Sequence, residues 1–263
     1  MKTLTKYLKN RIDVIDSLLR KPRDKYKPNT FHKLRVEIKK LNSGFDLINF
    51  CSTTFKRKAT YKPYKIIFSK AGKVRELHIE DEMLNNYFGN KMIKDYRKSL
   101  KKLRLKAEND FFSLINKKLM DQLNKKHHSI NPHLREIDSK KTSIYLEKKE
   151  NQIQELLGKN IIQTEQIHQL RKELKILNYN KAIIAKEKQD KELSQQDVLT
   201  EILGKWHDCQ VIIKHLEKAL NQEKLSPAEA EQLKIIHSKI VNKRNILFNE
   251  IKKVKLEDAL SRH

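Results

Sequence analysis

Two stretches of the sequence carry the same set of residues that could bind phosphate groups. Residues 31–42 and residues 167–178 both follow the pattern apolar-His-x-Leu-Arg-x-Glu-apolar-Lys-x-Leu-Asn. Arginine offers fork-shaped N–H donors that match phosphate oxygens, lysine adds a mobile positive charge, and histidine gains a charge when it is protonated. The spacing therefore predicts an anion-binding surface. Its candidate residues are His32, Arg35, Lys39 and Lys40 in the first stretch and His168, Arg171, Lys172 and Lys175 in the second.

Each of these stretches predicts an amphipathic helix. Successive residues turn by about 100° around a helix, so His32, Arg35 and Lys39 form one stripe, next to an apolar stripe that begins at Phe31. Each helix would bury its apolar stripe and leave a cationic edge beside it. If two such helices pack about a pseudo-two-fold axis, their edges line a groove that concentrates positive potential and accepts an extended chain of phosphates.

A second match follows each stretch in the same order. Residues 72–79 begin Gly-Lys-Val-Arg-Glu, and residues 204–211 begin Gly-Lys-Trp-His-Asp. Two matches in one order predict an internal duplication, and Arg75 joins the candidate anion-binding residues. We therefore predict one domain over residues 1–255, made of two helical repeats at about 1–125 and 140–255, with a C-terminal tail at 256–263.

The rest of the sequence is typical of an all-helical protein. Only five glycines and five prolines occur among 263 residues, and apolar residues recur at helical spacing. Irregular segments are predicted at 51–72, before a helix at about 74–88, and at 121–140, as a linker between the halves. Helix starts are predicted at Asn29 or Thr30 and at Ser226, where Glu229 would complete a capping box.

The charge balance is extreme for a chain of this size. Lysine and arginine number 58, against 33 aspartates and glutamates, which gives a formal net charge of +25. Self-repulsion on this scale favours an anionic partner, although charge alone does not choose among nucleic acid, anionic lipid and polyphosphate. The most basic stretch, residues 91–106, has a helical pattern. It adds five candidate residues on one arc, namely Lys94, Arg97, Lys98, Lys101 and Arg104.

The sequence predicts no catalytic residues, no metal site and no cofactor, and we expect a protein that is not an enzyme. It contains no phosphate-cradling glycine-rich loop and no Gly-x-Ser-x-Gly nucleophile motif. The histidines His127, His128 and His133 lack the spacing of metal ligands, and so does the stretch from Trp206 to Cys209.

Cysteine content and hydropathy bear on the cellular compartment. Cys51 and Cys209 are the two cysteines, so a disulfide framework is not expected and a reducing cytoplasm is the default. The first residues lack the apolar run of a signal peptide, and no stretch approaches transmembrane length. We therefore expect a cytoplasmic protein without membrane insertion, of undetermined oligomeric state.

The repeated motifs resemble the signature of the CHAD family, the conserved histidine α-helical domain. That signature is a helix with His-x-x-Arg followed by basic residues, once in each of two symmetric bundles. Residues 72–76 and 204–208 are similar to the family's Gly-x-x-Arg-Asp element, from which Glu76 and His207 depart. The resemblance covers roughly residues 1–255 and implies two pseudo-symmetric four-helix bundles that bind inorganic polyphosphate through basic residues.

Polyphosphate binding without catalysis, in a basic groove between two helical bundles, is the leading functional prediction. Some relatives carry a fused triphosphate-tunnel catalytic domain marked by Glu-x-Glu-x-Lys, which this sequence lacks, so the resemblance implies a stand-alone binder. Binding of RNA or DNA is the alternative, although the basic helices show little aromatic interleaving for base stacking. A helical adaptor attracted to membranes or ribosomes is a third hypothesis. Association with polyphosphate granules, phosphate regulation and delivery of a partner are roles that the sequence leaves open.

Overall fold

The fold is helical throughout the residues that the structure describes. The computed structural model describes residues 2–87, 93–158, 163–184, 195–222 and 225–260. No β-strand occurs in these ranges, so the predicted all-α fold class is confirmed. The helices are α1 (Lys2–Leu19), α2 (Pro28–Cys51), α3 (Arg57–Tyr87), α4 (Lys94–Leu114), α5 (Lys117–His128), α6 (Asn131–Leu134), α7 (Ser139–Gly158), α8 (Thr164–Ile184), α9 (Gln195–Gln222) and α10 (Pro227–Leu260).

The chain divides into two compact units. The first unit contains Met1–Lys73, Glu108–Leu156 and Lys172–Asp190. The second unit contains Val74–Ala107, Leu157–Arg171 and Lys191–His263. The boundaries therefore fall within α3, α4, α7 and α8, and each unit draws on both halves of the sequence.

In the first unit, α2 buries the apolar stripe that its sequence predicts. Phe31, Leu34 and Ile38 follow the helical spacing and are almost completely buried. Phe31 also belongs to an aromatic cluster, since its ring centroid lies 4.8 Å from that of Tyr26 and 5.1 Å from that of Phe111. Such tilted and edge-on ring contacts stabilise a core beyond the area they bury. The helix is thereby anchored along the stripe adjacent to its cationic edge.

A charged network in the first unit links α2 to three other helices. The carboxylate of Asp46 accepts a hydrogen bond of 2.7 Å from the Tyr145 hydroxyl and forms ion pairs with Arg57 and with Lys149, the latter at 3.1 Å. The Lys149 ammonium group also lies 2.9 Å from Glu173 on α8. A poorly exposed carboxylate needs such compensation, because removal of one partner would leave an unbalanced buried charge.

The second unit contains α9 and carries a buried carboxylate of its own. Trp206 on α9 is 2% exposed. Glu80 on α3 is fully buried; it accepts a hydrogen bond from the Tyr96 hydroxyl and lies 2.6 Å from Nδ1 of His215 on α9. This cluster joins α3, α4 and α9 within the second unit.

The predicted irregular segment at 51–72 is wrong over most of its length. From Arg57 onwards these residues belong to α3, which continues through Pro63 and Gly72. Proline removes one helical hydrogen bond, and an interior glycine disfavours a helix. Burial outweighs both effects, because the spacing of the buried residues makes one continuous stripe. That stripe consists of Tyr64, Ile67, Ala71 and Val74, each at most 1% exposed.

The predicted linker at 121–140 is also largely helical. The side chain of Asn116 caps α5 by accepting a 3.0 Å hydrogen bond from the Leu119 N–H, and Leu119 and Leu123 are buried. The short helix α6 and the start of α7 occupy most of the remainder. The helix was not predicted because two buried leucines one turn apart give only a weak periodic signal among polar residues.

The two predicted helix starts differ in outcome. α2 begins at Pro28, and Thr30 does not precede the helix; its hydroxyl instead accepts a 3.3 Å hydrogen bond from the Lys27 N–H. Ser226 caps α10 as predicted, since its hydroxyl accepts a 3.3 Å hydrogen bond from the Glu229 N–H. The Glu229 carboxylate does not complete the box, because it accepts a hydrogen bond from the Tyr96 N–H of α4.

Candidate anion-binding site

The cationic edge of α2 lies against an aromatic ring of α3. Nη1 of Arg35 donates a 2.8 Å hydrogen bond to the carbonyl oxygen of Phe68, and the guanidinium carbon is 4.1 Å from the centroid of the Phe68 ring. Nζ of Lys39 lies 5.7 Å from the same centroid. Both cations are half-buried. Cation–π attraction and the hydrogen bond hold Arg35 in one orientation within the first unit.

Gly72 provides the space that the Arg35 guanidinium occupies. A Cβ at Gly72 would overlap Nη1 of Arg35 and would lie 3.0 Å from its Cζ. Any other residue at this position would therefore displace the guanidinium. The two elements that recur in the sequence, the His-x-x-Arg helix and the glycine element, thus meet in physical contact in the first copy.

The other candidates on α2 have different surroundings. His32 is exposed. Lys40 is half-buried and its ammonium group lies 3.1 Å from the Glu37 carboxylate, which also pairs with Arg11 at 2.8 Å. Glu37 thus offsets part of the positive charge next to the stripe.

In the second copy, His168 packs on an aromatic pair of α9. The His168 ring centroid lies 5.2 Å from that of Trp206 and 5.2 Å from that of His207. Burial, together with the positive charges of Arg171 and Lys214, lowers the pKa of His168. His168 is therefore neutral at pH 7 in the absence of an anion. A bound anion would favour its charged form.

The remaining candidates of the second copy lie along α8. Lys172 is exposed, whereas Arg171 and Lys175 are half-buried. Gly204, which aligns with Gly72, is not in close contact: within the described part of the chain, a Cβ there would meet no heavy atom within 4 Å. The second copy therefore lacks the glycine–guanidinium contact of the first.

The two repeated helices contact each other inside the first unit. The hydroxyl of Ser43 on α2 donates to Oδ1 of Asn180 at 3.0 Å and approaches the carbonyl oxygen of Ile176 at 3.2 Å, both on α8. Ser43 and Asn180 are fully buried. These positions lie near Asn42 and Asn178, where the two repeated motifs end, so the helices touch at nearly equivalent points. Sequence reasoning missed Ser43, because a lone serine carries no signal for such a contact.

Three candidate arginines of the second unit are bound by carboxylates. Arg97 and Arg104 of α4 both reach Asp81 of α3, at 3.5 and 3.4 Å, and Arg75 lies 3.3 Å from Glu82. The two pairs with Asp81 join α4 to α3 within that unit, whereas the Arg75–Glu82 pair lies within α3. Arg97 and Arg104 were predicted from the basic arc, which does not show that Asp81 on another helix is their partner. Arg75 was predicted from the glycine element.

The lysines of the same arc have no such partners. Lys94, Lys98 and Lys101 are exposed and form no ion pair with any described residue. Their spacing of four and three residues places them on one face of α4. Lys91, where the basic stretch begins, lies outside the described residues.

His78 of α3 is a buried histidine beside this arginine cluster. Burial, with the positive charges of Arg104 and Arg75, lowers the pKa of His78 to about 4. It is therefore neutral at pH 7. Sequence reasoning did not select it, although its position three residues after Arg75 places both on one side of the helix.

One polar cluster of the first unit brings a serine close to a histidine and a glutamate. Ser52 donates its only hydroxyl proton to Glu136 at 2.7 Å, so His133, at 2.9 Å from the same oxygen, does not receive it as a base would. Over the described ranges, no group of three or more histidine, cysteine or acidic side chains could hold a metal ion. No described helix is long and apolar enough to cross a membrane.

Comparison with known proteins identifies one family. The model of the CHAD domain family matches residues 6–217. The crystal structure of the CHAD domain from the plant Ricinus communis superimposes with a TM-score of 0.77 at 12% identity, over 97% of this chain and 90% of that chain. PptA from Streptomyces chartreusis superimposes with a TM-score of 0.75 at 11% identity, over 96% of this chain and 98% of that chain.

At these identities the two solved structures show a shared fold. No curated protein matches the sequence. The family match rests on sequence and spans most of the chain, including both His-x-x-Arg helices and both glycine elements. The chain therefore belongs to the CHAD domain family, a family linked to polyphosphate.

Proposed function

We propose that this protein binds inorganic polyphosphate through cationic side chains of α2, α4 and α8 and does not cleave the polymer. Family membership supports the choice of polyphosphate among the possible polyanions. The observation that carries the proposal is the contact between the two motif elements in the first copy. There the Arg35 guanidinium is held by Phe68 in the space that Gly72 leaves.

A guanidinium that is already ordered is well suited to phosphate. Arginine donates paired N–H groups to phosphate oxygens, and less side-chain entropy is lost when the group is fixed before the ligand arrives. Lys39, on the next turn of α2, adds a second positive charge on the same stripe. Arg171 and Lys175 are the corresponding residues of α8.

The exposed lysines of α4 would supply mobile charge. Lys94, Lys98 and Lys101 form a row without acidic partners among the described residues. Arg97 and Arg104 would act mainly by holding α3 and α4 together, because Asp81 of α3 already engages them. Arg75 is already paired with Glu82 within α3. A long polymer can contact separate cationic surfaces at once, so modest contacts add up. The groove itself remains a prediction.

Competition between polyanions tests this proposal. The full chain would be titrated with long-chain polyphosphate, single-stranded RNA and duplex DNA at matched phosphate concentration and physiological salt. We expect polyphosphate to bind at least about tenfold more tightly than either nucleic acid, with an affinity that falls steeply with salt because counterions are released. Equal affinities would reduce the function to general polyanion binding.

The absence of cleavage needs its own measurement. Polyphosphate incubated with a stoichiometric amount of protein, with and without Mg²⁺, should keep its chain-length distribution on a gel. Release of orthophosphate or a shift to shorter chains, at a rate proportional to protein concentration, would contradict a purely binding role.

A further inference from the structure

A cleft in the first unit is lined by none of the residues discussed as polyphosphate ligands. It opens between the early turns of α3 and the end of α5 and has a volume of about 510 Å³. Ala59, Pro63 and Ile66 of α3 form an apolar floor, and Ile66 is 42% exposed. Volumes of several hundred cubic ångströms are typical of sites that accept a ligand or an anchoring side chain.

Three lysines surround this floor. Lys62 of α3 and Lys125 and Lys126 of α5 line the cleft, and none of its lining residues, all within the described part of the chain, is acidic. The three ammonium groups form no ion pair with a described residue. Lys125 and Lys126 lie in the last turn of α5, where the helix dipole favours positive charge. The cleft therefore combines an apolar floor with a cationic rim.

Pro63 removes the helical donor of a carbonyl group on a residue that lines the same cleft. Proline has no N–H, so the carbonyl oxygen of Ala59, four residues earlier, receives no helical hydrogen bond from position 63. Both residues line the cleft. An N–H group of a bound ligand could donate to this oxygen. The phosphate units within a polyphosphate chain carry only acceptors at neutral pH, whereas every peptide unit except proline carries a donor.

We propose that this cleft binds an acidic protein segment that carries an apolar anchor residue. The anchor side chain packs on Pro63 and Ile66, flanking carboxylates pair with the lysines, and a backbone N–H donates to the Ala59 carbonyl. The lining contains no aromatic side chain on which a nucleic-acid base would stack. The floor is recessed, which suits a projecting side chain better than a flat lipid surface. This second site goes beyond polyphosphate binding and would let the protein bring a partner to the polymer.

A designed peptide tests the cleft directly. The probe is a fluorescein-labelled heptapeptide, Gly-Glu-Glu-Leu-Glu-Glu-Gly, titrated with the full chain at physiological salt and followed by fluorescence anisotropy. We expect the triple variant Lys62→Gln/Lys125→Gln/Lys126→Gln to bind it about tenfold more weakly. A peptide with serine in place of leucine should lose about fivefold in affinity, because the apolar anchor is gone.

A charge-matched variant separates the cleft from the general charge of the protein. Lys6→Gln/Lys25→Gln/Lys140→Gln removes three exposed lysines of the first unit outside the cleft and should change peptide affinity less than about threefold. Equal losses in the two triple variants, or equal binding of the serine peptide, would overturn the proposal. A cleft variant that no longer binds polyphosphate but still binds the peptide would also overturn the proposal. We expect the cleft variant to lose peptide binding and to retain polyphosphate binding. Circular dichroism checks that each variant is folded.

Discussion

The two copies of the glycine element have different packing contacts. In the first copy, Gly72 leaves room for the Arg35 guanidinium, and Phe68, one turn earlier on the same helix, holds that guanidinium. In the second copy, Gly204 is in open surroundings among the described residues, and Trp206, two positions later, packs against His168. Equal spacing in sequence therefore does not guarantee equal contacts. The first copy is specialised around arginine and the second around histidine.

The residues that align between the copies explain this difference. Trp206 aligns with Val74, and both are buried in the second unit. A tryptophan fills far more volume than a valine and offers a ring face to the neighbouring imidazole. His78 aligns with Gln210, so the first copy buries a titratable group where the second has an amide. Each of these aligned pairs offers a substitution that tests the comparison.

The largest expected effect is the loss of Trp206. Trp206→Ala should lower the free energy of unfolding by about 3–5 kcal/mol, because it opens a large cavity in the second unit. Val74→Ala should cost about 2 kcal/mol, since fewer buried atoms are removed. Urea denaturation followed by far-UV circular dichroism measures both. Similar losses for the two variants would show that the aligned positions carry equal weight, contrary to the comparison.

The buried His78 should make stability depend on pH. Because its pKa in the folded protein is about 4, below the value near 6.5 of an unfolded histidine, the unfolded chain takes up a proton first as the pH falls. At pH 7 this proton uptake leaves the free energy of unfolding unchanged. At pH 4 it should lower the free energy of unfolding by on the order of 3 kcal/mol. His78→Gln, which copies the residue of the second repeat, should remove this loss.

The measurement is the difference in unfolding free energy between the wild type and His78→Gln at several pH values. Carboxylates also titrate in this range, but they are common to both proteins and cancel in the difference. Parallel pH profiles would mean that His78 is solvated enough to be protonated in the folded state. His237→Gln, at a partly exposed histidine that pairs with Glu217 on α9, serves as a control.

The two glycines should respond to alanine with opposite signs. Gly72→Ala displaces the Arg35 guanidinium and loses its hydrogen bond and ring contact, which outweighs the gain in helix propensity and leaves a net loss of about 1 kcal/mol. Gly204→Ala meets no described atom and should stabilise the protein by about 1 kcal/mol. Thermal unfolding at one pH measures both. A stabilised Gly72→Ala variant would show that Arg35 is not held as described.

The smallest expected effect concerns His168. Its pKa is lowered in the free protein, and a bound polyanion favours the charged imidazolium, so binding is coupled to proton uptake. Polyphosphate affinity should therefore rise about three- to fivefold between pH 7.5 and 5.5, and this rise should be smaller in His168→Gln. Trp206 is the only tryptophan and lies next to His168, so its fluorescence follows the titration. An identical pH dependence in the variant would exclude His168 from the site.

Much of the fold could be predicted from helical periodicity. The apolar stripe of α2 and the cap of α10 at Ser226 were found because their signals lie within one helix. The start of α3 was missed because Pro63 is a local signal against a helix and the polar residues around it obscure the apolar spacing. Its stabilisation comes from burial against other parts of the first unit. Local propensity does not contain that contribution.

The candidate site was predictable in composition but not in its contacts. The stripes of His, Arg and Lys were visible from their spacing. The carboxylates that engage Arg97 and Arg104 were not, because Asp81 lies on another helix. The same applies to Phe68, whose carbonyl group and ring both hold Arg35. Such partners depend on how helices pack, which the spacing within one helix does not specify.

The most direct test of the central claim removes the cations of both repeated helices. The quadruple variant Arg35→Ala/Lys39→Ala/Arg171→Ala/Lys175→Ala would be compared with Lys6→Ala/Lys25→Ala/Lys140→Ala/Lys218→Ala, which removes four exposed charges elsewhere. In polyphosphate titrations at physiological salt, with folding verified by circular dichroism, we expect the first variant to lose about a hundredfold in affinity and the second less than about fivefold. Equal losses, or unchanged affinity in a folded first variant, would contradict polyphosphate binding by the repeated helices.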